Sequence, residues 1–241
     1  MPHGTPDFQQ TSGVNTVYQL TDMAELAARL GSIVSFERRG DVFFLEDFEH
    51  GAGRFSFHGN GAGYAGYLSL NSSKSKHFSA RLVSGSNGDH NAYIYTNSGL
   101  PSISKVGFEV SFAGGSVLEV LEMTIEPCDG SVQMFGIIKY DYSTKKLYYY
   151  DEDDAWIEFA SGISMPVSGI MYNTAKLVVD VAKREYVRFV LNATTYPLLG
   201  IACNVSAGAV YPQCYSEFKF TGQNGFNQSM YLDDWILTQN E

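Results

Sequence analysis

Two glutamates on one face of a strand are the smallest constellation in this chain that could do bond-breaking chemistry. In Glu119-Val120-Leu121-Glu122-Met123-Thr124-Ile125-Glu126, the two-residue period of a strand puts Glu122 and Glu126 on one side and Glu119 on the other. Two carboxylates facing one cleft, about 5–5.5 Å apart, are what retaining glycosidic cleavage uses. Other chemistry has less to draw on. The five histidines, His3, His50, His58, His77 and His90, show no HxH or HExxH spacing, so a catalytic zinc site has no local signature. There is no GxSxG elbow. The run Gly59-Asn60-Gly61-Ala62-Gly63 lacks the lysine and helix of a phosphate loop and reads as a hairpin loop. Three cysteines, Cys128, Cys203 and Cys214, make no CxxC. Cys203 and Cys214 either close a short loop or stay buried thiols.

Recognition of a sugar needs aromatic rings with amide or carboxylate hydrogen bonds beside them. Tyr64, Tyr67, Tyr93, Tyr95, Tyr148, Tyr150 and Trp156 are the candidates, with Asn60, Asn87, Asp89 and Asn91 in nearby loops. Tyr148 and Tyr150 share a strand face. Aromatics with polar tips also fill sandwich cores and subunit interfaces, so residue type alone leaves both roles open. The acidic run Asp151-Glu152-Asp153-Asp154 reads as a solvated hairpin turn.

The elements that must position these residues are mostly strands. The chain has 241 residues, 16 Tyr, 16 Phe and 24 Gly, a mix that favours strands and tight turns over helices. Charged residues make up 17%, against roughly 25% in an average soluble chain, which excludes a high-charge disordered chain. The net charge of −10 argues against nucleic acid or an anionic membrane surface as partner. No apolar run approaches the ~20 residues of a membrane helix, so no membrane insertion is expected. Nor does MPHGTPDFQQ show the blocks of a signal peptide.

Residues 1–40 form an arm and a helix; residues 41–241 form the main domain. The arm is rich in small polar residues. In the helix, Thr21 or Asp22 serves as cap, Leu20, Met23, Leu26, Ala27 and Leu30 make one apolar stripe, and Gly31 stops it. The stripe is a candidate assembly surface. Arg39-Gly40-Asp41, a tripeptide also used by integrin ligands, is read as the turn into the first strand. From Val42 onward, about fourteen short segments rich in aromatic and β-branched residues read as strands. Phe108, Val110 and Phe112, and Leu177, Val179 and Val181, are expected to face inward with their neighbours facing out. The fold class predicted is all-β: a two-sheet antiparallel jelly-roll sandwich with an N-terminal extended arm and one short helix.

The order of segments resembles the concanavalin A-like and laminin-G-like jelly-roll sandwiches. Phe44-Leu45-Glu46-Asp47-Phe48-Glu49 is similar to their opening strand. His77–Leu82 is similar to a strand that follows a polar loop. Further likeness comes from the hairpin Gly136–Phe159, from Lys176–Asp180 with Tyr186–Phe189 and Leu191-Asn192, and from the closing strand Tyr231–Thr238. These sandwiches serve as lectins, hydrolases, adhesion modules and virion parts, so the resemblance implies the fold more than the function. Many of the carbohydrate-binding ones hold a structural Ca²⁺ where the first and last strands meet. By resemblance Glu46, Asp47, Asp233 and Asp234 lie there. Adjacent residues point to opposite faces, and Asp47 with Asp234 is the candidate pair. The hydrolase pattern Glu-x-Asp-x-x-Glu loses its central Asp in this chain. The whole chain also resembles phage and environmental viral proteins, through Met1–Asp7, Glu25–Gly31 and Arg38–Asp41.

The leading expectation is therefore a non-enzymatic virion structural protein, capsid-associated or decorating the surface of a phage-like particle. Its expected partners are capsid or other virion proteins and further copies of itself. The alternative is a carbohydrate-binding module that meets surface glycans, extracellular and stabilised by calcium. The third is a glycan-cleaving enzyme.

Overall fold

The computed structural model describes residues 39–86, 90–115, 118–207, 211–223 and 225–241. The expected helix and its stripe Leu20, Met23, Leu26, Ala27 and Leu30 lie outside these, as do Asn87 and Asp89. The described residues fold into two antiparallel sheets packed face to face, with no helix among them. The first sheet runs β13 (Thr194–Pro197), β12 (Glu185–Leu191), β11 (Asn173–Asp180), β6 (Lys105–Gly114), β16 (Ser229–Gln239), β4 (Ser79–Val83) and β3 (Ala65–Ser69), and β1 (Asp41–Glu46) also pairs with β16. The second runs β10 (Trp156–Ser161), β9 (Lys146–Tyr150), β8 (Val132–Asp141), β7 (Leu118–Cys128), β15 (Gln213–Gly222), β5 (Asn91–Gly99) and β2 (Ser56–Gly59), and β14 (Asn204–Ala207) also pairs with β8. The expected segments all become strands. β13 and β14, four residues each, were not expected, because Thr-Thr-Tyr-Pro and Asn-Val-Ser-Ala carry almost no apolar pattern. Gly40 sits at φ +79°, so the Arg-Gly-Asp tripeptide is a turn into β1.

Alternation builds the core. Phe108, Val110 and Phe112 on β6 and Leu177 and Val179 on β11 face the second sheet and are buried. They meet the inward side of β15, where Phe112 packs on Phe218 with ring centroids 5.1 Å apart. Trp235 packs on Phe108 at 4.4 Å and Phe55 at 5.2 Å, and its indole N–H donates to Ser216 Oγ across the sandwich. The expectation that the neighbours of these residues face solvent fails on β6 and β11, and β12 is likewise buried on both faces. Glu109, Ser111, Lys176 and Arg188 are buried as well. Their charges are matched internally: the Glu241 carboxylate lies 2.6 Å from Lys176 Nζ and also takes Arg188.

Each sheet contains one strand edge shared by two neighbours. β16 pairs with β4 through Ser229–Leu232 and with β1 through Trp235–Gln239. Between them lies a bulge at Asp233-Asp234, with Asp234 at φ +47°. β8 pairs with β14 through Val132–Phe135 and with β9 through Ile138–Asp141. The gap there is filled from the opposite sheet. Tyr186 Oη accepts the N–H of Ile137 at 2.9 Å and donates to the carbonyl of Tyr150 at 2.7 Å. The close fit needs Gly136, since a Cβ there would come within 2.8 Å of Val179 Cγ1.

Replacing Tyr186 by Phe keeps the ring and strands the Ile137 N–H in the core. The expected loss is about 1–3 kcal/mol, read as a lower denaturation midpoint with an unchanged m-value.

Candidate functional site

The candidate residues converge on the outer face of the second sheet. In β15, Cys214, Ser216, Phe218 and Phe220 point inward, which turns Tyr215, Glu217 and Lys219 outward. Register then fixes their neighbours. One row across the strands reads His58, Tyr93, Lys219, Glu122, Lys139, Tyr148. The next reads Ser56, Tyr95, Glu217, Thr124, Ile137. A third begins Asn97, Tyr215, Glu126. Glu122 and Glu126 thus share this face, as their spacing predicts, with Glu217 beside the Thr124 between them.

The three carboxylates on this face each have a defined partner. Lys219 Nζ donates to Glu122 at 2.8 Å, and Gln133 Nε2 to Glu126 at 2.6 Å. The Tyr215 hydroxyl donates to Glu217 at 2.5 Å. Burial pushes the Glu126 carboxyl up to about 7, against the pull of the Gln133 hydrogen bond. Burial also raises Glu217, and Tyr215 and Lys219 draw it back down. Near neutral pH, therefore, a carboxyl poised between its protonated and ionised forms stands near a second carboxyl hydrogen-bonded by a phenol.

Aromatic rings flank this acidic centre. On one side His58 stacks between Tyr93 and Tyr95, 5.5 Å from each, and Tyr95 leans on Tyr215 at 5.1 Å. These rings spend part of their faces on each other and present edges and hydroxyls. On the other side Trp156 lies 5.2 Å from Tyr150, and Lys139 Nζ sits 4.1 Å over Trp156 and 4.9 Å over Tyr148. Burial lowers the Lys139 ammonium. The Asp151–Asp154 turn is self-satisfied, Asp151 accepting the N–H of Asp153 and of Ala155.

Five of the seven expected aromatics, Tyr93, Tyr95, Tyr148, Tyr150 and Trp156, belong to this face. Tyr64 lies in the loop before β3, against Gly59 next to Tyr93. Tyr67 does not join them. It lies on the first sheet, where Arg81 is sandwiched 5.5 Å from Tyr67 and 5.6 Å from Tyr231. His58, Gln133, Lys139, Tyr215, Glu217 and Lys219 were missed. The alternation in Gln213–Gly222 shows that Tyr215, Glu217 and Lys219 share a side, but nothing local says that β7 is the strand next door.

At the junction of the first and last strands, the expected calcium ligands have other partners. Asp47 meets Lys76 Nζ at 2.5 Å and Asp234 meets Lys74 Nζ at 3.4 Å. Among the described residues no three His, Cys, Asp or Glu side chains come together as a metal site. Cys128, Cys203 and Cys214 are all buried free thiols, so the loop closure between Cys203 and Cys214 is not formed. Among the described residues no helix is long and apolar enough to cross a membrane.

Comparison with family models and with curated proteins finds no match. Solved structures do share the fold. A carbohydrate esterase of the Shiga toxin-encoding bacteriophage phi24B is 11% identical, with 84% of this chain and 100% of the other covered and a TM-score of 0.55. The cellulose-induced protein Cip1 is 15% identical, with 81% and 96% covered and a TM-score of 0.54. An endo-β-1,4-glucuronan lyase from the fungus Trichoderma reesei is 12% identical, with 82% and 95% covered and a TM-score of 0.52. The concanavalin-like sandwich expected from the segment order is thereby supported. The expectation that the chain is not an enzyme is overturned, because the same fold over nearly the same length houses a lyase and an esterase.

Glu126 gives a direct check on the site. Its side-chain carboxyl, followed by carbon-13 NMR, is expected to titrate near 7, and Gln133→Ala is expected to move it higher still. Because the folded value exceeds the unfolded 4.5, its contribution to stability is fully present below 4.5 and is lost as pH rises through about 7. Glu126→Gln should flatten stability against pH in that window.

Proposed function

We propose that this protein recognises carbohydrate across the outer face of its second sheet. One observation carries the reading: an acidic centre of Glu122, Glu126 and Glu217, bridged to Lys219, Tyr215 and Gln133, lies between two groups of aromatic rings. Sugars offer hydroxyls to carboxylates and amides and C–H faces to rings, and this surface supplies both. The face crosses β2, β5, β15, β7, β8, β9 and β10, six strand spacings or about 28 Å, which suits a chain of sugars over a single residue. The phage esterase and the glucuronan lyase that share the fold support the same reading. It replaces the non-enzymatic capsid role as the leading one. On a virion, the location expected from the sequence, such a face would meet host-surface glycans.

Glycan-array binding followed by titration tests this. Trp156→Ala and Tyr95→Ala are each expected to weaken binding about tenfold, a loss of about 1.4 kcal/mol. Tyr67→Ala, on the other sheet, is expected to leave it unchanged. Equal losses in all three variants would refute the assignment of the face.

The raised Glu126 favours cleavage as a second reading. A carboxyl near 7 is matched to donating a proton at neutral pH. Glu217, one strand over and diagonal to Glu126, is placed as its partner, since diagonal cross-strand neighbours lie about 7–8 Å apart. Glu126 would protonate the leaving glycosidic oxygen while Glu217, at the separation of an inverting pair, takes a proton from the water that attacks the anomeric carbon. Release of reducing ends from polysaccharides is expected to fall as pH rises through about 7, and Glu126→Gln to lower it at least ~100-fold. Full activity in Glu126→Gln would exclude this chemistry.

A further inference from the structure

We propose that the Lys74 ammonium holds the junction of the first and last strands and does there the work a calcium ion was expected to do. Calcium takes six to eight oxygen ligands at about 2.3–2.6 Å, each offering a free lone pair. In this chain the carboxylate oxygens are engaged by donors, most of them from one segment, residues 74–78. Asp233 Oδ2 accepts the N–H of Lys74 at 2.8 Å and of Ser75 at 2.9 Å. Its Oδ1 accepts the N–H of Asp234 at 2.9 Å. Asp234 Oδ1 takes the Ser75 hydroxyl at 3.2 Å and Oδ2 the Lys74 ammonium at 3.4 Å. Asp47 takes Lys76 Nζ at 2.5 Å and the N–H of Glu49 at 3.2 Å. Glu49 Oε1 accepts the N–H groups of His77 and Phe78, both at 2.7 Å.

Charge and geometry agree. Of the four carboxylates here, Asp234 and Asp47 are paired with the Lys74 and Lys76 ammoniums, while Asp233 and Glu49 are met by backbone N–H groups. A divalent ion added beside them would meet two ammoniums and a ring of N–H dipoles pointing at it. The two lysines are not equivalent. The Lys74–Asp234 side chains are 28% and 5% exposed, those of Lys76–Asp47 58% and 24%. The inner pair carries the holding role, because an exposed pair is screened by water. The segment held this way fills the gap where β16 passes from β4 to β1.

Thermal melting of the full chain, in excess EDTA and in millimolar calcium, tests the proposal. The unaltered protein is expected to melt within about 1 °C in the two conditions. Lys74→Met is expected to melt roughly 3–10 °C lower in EDTA, and Lys76→Met within about 2 °C of the unaltered protein. A melting temperature of the unaltered protein that drops in EDTA and recovers with calcium overturns the proposal. So does a Lys74→Met protein that melts unchanged. If Lys74→Met does not fold, Lys74→Arg, which keeps the charge, decides. Folding with indifference to calcium supports the proposal, and stabilisation of that variant by calcium counts against it.

Discussion

A buried backbone N–H or C=O must find a partner, and that constraint bites hardest where one strand edge is shared by two neighbours. This sandwich has such a place in each sheet. At Asp233-Asp234, where β16 passes from β4 to β1, the Asp233 carboxylate collects N–H groups from Lys74, Ser75 and Asp234. At Gly136-Ile137, where β8 passes from β14 to β9, the Tyr186 hydroxyl reaches across from the other sheet. In both cases a side-chain oxygen substitutes for a missing strand. The two sites differ in what they tie together. Asp233 fastens a loop to an edge, whereas Tyr186 fastens one sheet to the other and so sets how β9 lies against β8.

That positioning matters because the candidate face depends on β9 and β8 as much as on β7 and β15. Tyr148 and Tyr150 come from β9, and Lys139 and Gln133 from β8. The candidate face is built on strands whose inner sides are locked into the core by Phe112 against Phe218 and by the Trp235 indole bonded to Ser216. Residues on rigid strands keep their spacing better than residues on loops. The electrostatics follow from the same placement. Lys219 lies directly across the ladder from Glu122 and donates to it, while burial pushes Glu126 up to about 7 against the pull of the Gln133 hydrogen bond. Two glutamates on one strand acquire different surroundings from where the neighbouring strands place them.

Much of the fold was legible in the sequence. Short segments with alternating apolar and polar residues identify the strands, and the inward sets Phe108, Val110, Phe112 and Leu177, Val179 follow from period two alone. The exceptions have physical causes. β13 and β14 lack an apolar pattern. The outward residues of β6, β11 and β12 are buried although several are charged, because Glu241, at the far end of the chain, supplies a counter-charge to Lys176 and Arg188. The candidate calcium pair, Asp47 with Asp234, met lysines from a loop that no pattern connects to either strand.

The sequence by itself determined which side chains share a face within each strand: Glu122 with Glu126, Tyr93 with Tyr95, Tyr148 with Tyr150. That is a local property of an extended backbone, in which successive side chains point to opposite sides. Only the tertiary structure decided which strands lie next to one another. β15 sits between β7 and β5 although long stretches of chain separate all three, and this alone brings Glu217 to Glu126, Lys219 to Glu122 and Tyr215 to Tyr95. Strand order is settled by how the whole apolar set packs between two sheets, a property of the complete chain that no single segment carries.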